Sequence, residues 1–172
     1  LAGALRDCAS LYSRIISGQS VTDDHYLKLL GGLNGAMVQL RSLMPSVSKE
    51  VRMSMTQLDA LQRNLRLCVS TLEILANTRP DPRDERALAQ MQLALKAEHR
   101  EIRRLLIGMA RALQSGSTER LQRSVEQPPL PGAMDTPVYS ALDGYRLLTR
   151  QLTSNLNDMA GRLVKSAPDW KI

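Results

Sequence analysis

A chain of 172 residues is long enough to bury one substantial core, and its 43 % apolar content is aliphatic, with no Phe, one Trp and four Tyr. Aromatics at 3 % leave almost no base-stacking platform, which argues against single-stranded nucleic acid. The 23 basic against 17 acidic residues give a net charge of +6, a surplus that suits an acidic surface such as nucleic acid, anionic lipid or an acidic protein, or a solvated face with no partner.

Leu, Ala and Met dominate, and all three favour helix. No stretch alternates Val, Ile, Thr and aromatics as a strand does. The expected fold is all-α: an elongated antiparallel helical bundle of about five long helices plus one short one, in a single domain spanning 1–172.

The first helix is expected over Leu1–Ser17. Leu1, Leu5, Cys8, Tyr12 and Ile15 repeat at four-three spacing, and Gly18 is a stop signal. Ser20 to Asp23 form a capping signal. A second helix then runs from Thr22 to Met44, with Tyr26, Leu30, Leu33, Met37, Leu40 and Met44 as its seam. Gly31, Gly32 and Gly35 lie inside it. Together they cost a helix roughly 2–3 kcal/mol relative to Ala, so a close helix–helix approach or a local bend is expected there.

Pro45 should end the second helix. Ser46 or Ser48 should cap the third, which runs to Asn77 with Val51, Met55, Leu58, Leu65, Val69, Leu72 and Ala76 as its seam, widened by Leu61, Cys68 and Leu75. Gln62 is a tolerated polar break in it.

Asp81 and Pro82 read as N-cap and N1 of a fourth helix that reaches Gln114 without interruption. Its apolar arc is Leu88, Met91, Leu95, Ile102, Leu105, Met109 and Leu113. The opposite arc carries Arg86, Lys96, Arg100, Arg103, Arg104 and Arg111, the candidate surface for an anionic partner. The short connection at Arg79–Asp81 predicts that the third and fourth helices form an antiparallel hairpin.

A short amphipathic helix follows at Thr118–Val125, then a Pro-rich segment from Gln127 to Ala133 that cannot be helical. Thr136 and Pro137 open the last helix, Val138–Lys165, with Val138, Leu142, Tyr145, Leu152, Leu156, Met159 and Leu163 as its seam, and Pro168 ends it. The connection of about 20 residues before it is long for a bundle. A crossover that leaves the last helix parallel to the fourth is therefore expected.

Little in the chain points to catalysis or to a resident cofactor. His25 lies beside Asp23 and Asp24, and His99 beside Glu98 and Glu101, but neither has the Glu-x-x-His spacing of a metal-binding bundle. No nucleophile motif is present. Cys8 and Cys68 match no metal or redox pattern, and up-and-down helices would set them roughly 13 Å apart along the axis, so two separate free thiols are expected. No catalytic residue, metal or cofactor is assigned, and the chain is read as no enzyme.

No apolar run reaches 18 residues, and no signal peptide opens the chain. The chain starts at Leu1 already in helical phase and stops just after Trp170. It reads as a domain excised from a larger protein.

The stretch LAGALRDCASLYSRIISGQ (residues 1–19) resembles the first soluble helix of the fusaric acid resistance (FUSC) family of membrane proteins, which includes aromatic acid exporters. TQLDALQRNLRLCVSTLEILANTRP (56–80) and ALDGYRLLTRQLTSNLNDMAGRL (141–163) resemble its later soluble helices. The similarity covers nearly the whole chain, in texture rather than in a diagnostic motif. It implies a non-catalytic domain on the cytoplasmic face of the bacterial inner membrane, supporting assembly, oligomerisation or gating of an exporter. Its partners would be the rest of its own membrane protein, identical subunits and an anionic lipid surface. No substrate residue carries over. The alternatives are a free-standing helical interaction or sensor module and a basic nucleic-acid-binding bundle, the latter disfavoured by the missing aromatics and by helices too long for a helix-turn-helix.

Overall fold

A computed structural model describes residues 1–20, 23–50, 53–125 and 142–170. They form seven α-helices and no strand: α1 (Ala2–Ile16), α2 (Asp24–Glu50), α3 (Met55–Thr78), α4 (Glu85–Ala94), α5 (Lys96–Ser115), α6 (Glu119–Val125) and α7 (Leu142–Ser166), with a 3-10 turn at Ala167–Trp170. The all-α bundle is the fold the residues specify.

Four helices make a square. α1 packs on α3 and α5, and α7 packs on the same two from the other corner. α3 and α5 therefore lie across a diagonal. The hairpin expected from the short connection at residues 79–81 does not form as a side-by-side pair. The chain leaves α3 at one corner and reaches the far corner through α4. More apolar surface is covered this way, because α1 fills the space between them with Leu5, Cys8, Leu11, Tyr12 and Ile15, all at most 1 % exposed.

Contacts along the helices give the directions. The Arg6 guanidinium reaches the Gln114 side chain and Tyr12 meets His99, so α1 and α5 are antiparallel. Arg79 Nη1 donates to the Ile15 carbonyl at 3.1 Å, joining the ends of α1 and α3, which run parallel. His99 meets Tyr145 near the starts of α5 and α7, while Gly116 and Val164 line one groove near their ends. α5 and α7 are thus parallel, as the crossover requires; the Pro-rich segment and the Thr136–Pro137 signal lie outside the described residues.

Several boundaries differ from the sequence expectation. α2 does not stop before Pro45 but continues to Glu50. Proline removes one helical N–H and crowds the carbonyl four residues back. Here Pro45 and Arg41 are both exposed, so water can serve the freed Arg41 carbonyl, and burial of Met44 holds the helix on course. The cap of α3 is accordingly Ser54 rather than Ser46 or Ser48. Gln57 N donates to Ser54 Oγ at 3.2 Å, and Ser54 N donates to Gln57 Oε1 at 2.7 Å, a reciprocal capping box. Met55, expected in the seam, is 42 % exposed, and Val51 lies outside the described residues.

The fourth helix of the sequence is two helices. Asp81 holds a turn by accepting from Arg83 N at 2.9 Å, and the true N-cap is Asp84, which accepts from Ala87 N at 2.9 Å. The axis breaks at Leu95, whose φ of −115° and ψ of 18° fall outside the helical range. Neither Gly nor Pro marks the break. It keeps Met91 and Leu95 both fully buried while Gln92 Nε2 ties α4 to the Ile16 carbonyl at 2.6 Å. The apolar arc is otherwise as expected: Ile102, Leu105 and Met109 are fully buried, and Leu88 and Leu113 pack against the core.

The glycines of α2 are not a site of close packing among the described residues. A Cβ added at Gly31, Gly32 or Gly35 would meet nothing within 4 Å. Of this helix only Tyr26, Leu33 and Met44 are buried, and it lies on the outer side of α1 and α3. Gln62 bridges to it by donating to the Met37 carbonyl at 3.3 Å. The two cysteines are free and buried, but they are closer than expected: the ends of α1 and α3 are level at Ile15 and Arg79, which sets the Cys68 thiol beside that of Cys8.

Candidate anion-binding groove

α1 and α5 leave between them an open groove of about 680 Å³. One wall is Ser13, Ile16 and Ser17 of α1; the other is Lys96, Arg100, Arg103, Arg104 and Ile107 of α5, with Gln92 at the end and His99 between the walls. The spacing explains the alignment. Residues 96, 100, 103 and 107 are four-three-four apart, so they stack along one side of a helix.

Of the six basic residues proposed from sequence, the structure brings four into this groove. Arg86 is exposed on α4, and Arg111 is exposed a turn beyond it. Arg104 is already engaged: its Nε and Nη2 donate to Glu101 at 2.8 and 2.5 Å, a bidentate pair that keeps the guanidinium charged above its ordinary range. Lys96, Arg100 and Arg103 are exposed and have no hydrogen-bond or ion-pair partner among the described residues. Among the described residues no acidic side chain lines the groove.

His99 is not where the sequence reading put it. Glu101 is taken by Arg104, and the His99 imidazole is 6 % exposed, wedged between two tyrosines. Its ring lies 5.7 Å from that of Tyr12 on α1 and 6.3 Å from that of Tyr145 on α7, both edge-on. The His99 Nε2, the Tyr12 hydroxyl and the Tyr145 hydroxyl are buried with no hydrogen-bond partner among the described residues. Burial lowers the His99 pKa to about 4, so the ring is neutral at pH 7, and burial raises both phenols. A signal for this existed in the sequence: Leu95, His99, Ile102 and Leu106 are themselves four-three-four apart, which places His99 on the buried arc.

A second polar feature, missed from sequence, joins α3 to α7. Asn64, only 6 % exposed, donates through Nδ2 to Asn155 Oδ1 at 2.8 Å and to Asp158 Oδ2 at 3.0 Å. Its partner Asp158 also accepts from Arg162 Nε at 2.9 Å. The Asn64 hydrogen bond, then Arg162, holds the Asp158 carboxyl below its ordinary range. This is a clamp between helices rather than a reactive site.

Among the described residues no group of three His, Cys, Asp or Glu side chains is arranged to hold a metal ion, and no helix is long and apolar enough to cross a membrane. The arrangement defines a helical bundle with a cationic groove over a neutral imidazole floor. No protein-family model, curated protein or solved structure matches this chain.

Proposed function

We propose that the chain is a non-catalytic helical domain of an inner-membrane transport protein resembling the FUSC family, on the cytoplasmic face, where it supports assembly, oligomerisation or gating. The observation that carries an assembly role is the outer face of α2. Leu27, Gly31, Gly35 and Val38 fall within an arc of roughly 80° on a 3.6-residue helix. Leu27 is 55 % and Val38 is 72 % exposed, and a Cβ added at either glycine would meet no other described residue within 4 Å. Glycine costs about 1 kcal/mol relative to Ala in a helix interior. A helix that carries three of them without using them for its own packing suits close approach by another helix. The surplus positive charge and the resemblance over residues 1–19, 56–80 and 141–163 supply the membrane-protein context.

The test uses the parent protein. Gly31→Ala with Gly35→Ala should raise the melting temperature of the domain and weaken assembly of the parent, read by native electrophoresis in detergent. Assembly unchanged by these variants and by Val38→Glu would remove the assembly role. A parent reading frame without apolar segments of about 20 residues beside this domain would overturn the transport reading and leave a free-standing interaction module.

A further inference from the structure

We propose that the α1/α5 groove is a binding site for a phosphate ester, with the phosphate held by Lys96, Arg100 and Arg103 and the organic part lying over Ile16 and Ile107. The inference does not rest on the transport reading.

The charges come first. Three cations with no partner among the described residues stand on consecutive turns of one helix, and no acid on the groove lining offsets them. The helical rise from Lys96 to Arg100 is about 6 Å and from Arg100 to Arg103 about 4.5 Å. Like charges so placed repel one another, and a bound anion relieves that repulsion. Long flexible side chains can converge on one group across this span. A carboxylate offers two oxygens and one charge. A phosphate monoester offers three oxygens and up to two charges, which matches one ammonium and two guanidiniums better.

The floor supplies a second, independent observation. His99 lines the groove, yet its residue is 94 % buried and its Nε2 has no partner. A buried polar atom without a partner is rare in a well-packed core and marks a place where a polar group is expected to be served. Tyr12 and Tyr145 stand behind it with hydroxyls in the same condition. Three such atoms on three helices stand beside a groove wall made of four cations, and they set this region apart from the rest of the described surface.

The lining also limits the ligand. The α1 hydroxyls are committed to their own helix, Ser13 Oγ donating to the Ala9 carbonyl at 2.9 Å and Ser17 Oγ to the Arg14 carbonyl at 3.1 Å. Their side of the groove therefore offers few free donors to a sugar, and Ile16 and Ile107 present apolar surface instead. The described tyrosines are buried, so bases would find no stacking platform. The favoured class is a phosphate on a largely aliphatic body. A lipid head group and a soluble alkyl phosphate share that chemistry.

The experiment is a titration of the 172-residue chain followed by the imidazole resonances of its two histidines. His25 is exposed near the start of α2 and is not part of the groove, so it serves as an internal control. The probes are hexyl phosphate, inorganic phosphate, and phosphatidylcholine vesicles with and without phosphatidic acid. Hexyl phosphate is expected to shift the His99 resonances and leave those of His25 in place, and to bind more tightly than inorganic phosphate. Arg100→Glu with Arg103→Glu should weaken binding by about tenfold or more. Arg63→Glu with Arg66→Glu, equal in charge and exposed on α3, should leave it unchanged. Binding of hexyl phosphate together with vesicle binding that requires phosphatidic acid supports a lipid source. Binding of hexyl phosphate alone supports a soluble one. Silent His99 resonances with every probe, equal shifts at both histidines, or equal loss from the two charge reversals would each overturn the proposal.

Discussion

Asn64 and Asn155 exchange side-chain hydrogen bonds across the interface of α3 and α7. Asn64 Nδ2 donates to Asn155 Oδ1 at 2.8 Å, and Asn155 Nδ2 donates to the Asn64 carbonyl at 2.8 Å. Apolar seams tolerate sliding by a heptad, because one leucine replaces another. A reciprocal amide pair does not, since a shift strands polar groups against the core. This pair fixes the register of two helices that the chain joins only through a long route.

Replacing Asn64 with Leu should therefore cost about 1–3 kcal/mol, the penalty of leaving the half-buried Asn155 without its donor, while the exposed Asp158 keeps Arg162 and water. Urea unfolding measures it. The variant should also flatten the acid limb of stability. The Asp158 pKa is lowered in the fold, so its contribution is present above the unfolded carboxylate pKa and is lost as pH falls through the folded value. A variant as stable as the parent would show that the clamp does not hold the interface.

His99 should impose a second pH dependence at milder acidity. Its folded pKa of about 4 lies below the ordinary 6.5. The unfolded chain therefore binds the proton more readily between those values. Stability is complete above pH 6.5 and falls as pH drops toward 4, by up to about 3 kcal/mol. His99→Leu removes the titrating group and the unpartnered Nε2 together. Its melting temperature should vary less across pH 6.5 to 4 than that of the parent.

Gly18→Ala tests the corner where α1 ends. Gly18 has a φ of +77°, and an added Cβ would overlap Cδ2 of Leu88. The left-handed backbone alone costs an L-residue about 1–2 kcal/mol, and Leu88 must shift besides. Thermal unfolding should show a loss at least that large. Gly116→Ala has a similar φ of +65° with open space around it, so it should show the backbone cost only.

The thiols should be silent until the protein opens. Cys8 and Cys68 are both fully buried, and the neighbouring Cys68 thiol together with burial pushes the Cys8 thiol well above its ordinary range. Thiolate is the reactive form. Neither cysteine should react with a disulfide reagent in the folded chain, and both should react on unfolding, with a rate that follows denaturant concentration. Fast labelling of Cys8 in buffer would show that α1 leaves the bundle readily.

Much of this fold was legible in the residues. The seams of α1, α5 and α7 are buried as their four-three spacing requires, and the basic arc of α5 faces outward. The groove was half legible. Lys96, Arg100, Arg103 and Arg104 were marked by their arc, but Ser13 and Ile16 join them only because α1 lies alongside α5. His99 was read beside its acidic sequence neighbours, although its heptad position placed it with Leu95 and Ile102.

By itself the sequence determined what is local. A 3.6-residue period decides which side chains share a face, Gly18 and Gly116 stop helices through their left-handed backbone, and Ser54 starts one through its side-chain hydroxyl. The tertiary structure decided which faces meet. That choice depends on apolar area summed over all helices at once, which no local window contains. It set α3 and α5 on a diagonal, carried α2 through Pro45, broke the long helix at Leu95, and brought Cys8 to Cys68 and His99 to Tyr12 and Tyr145.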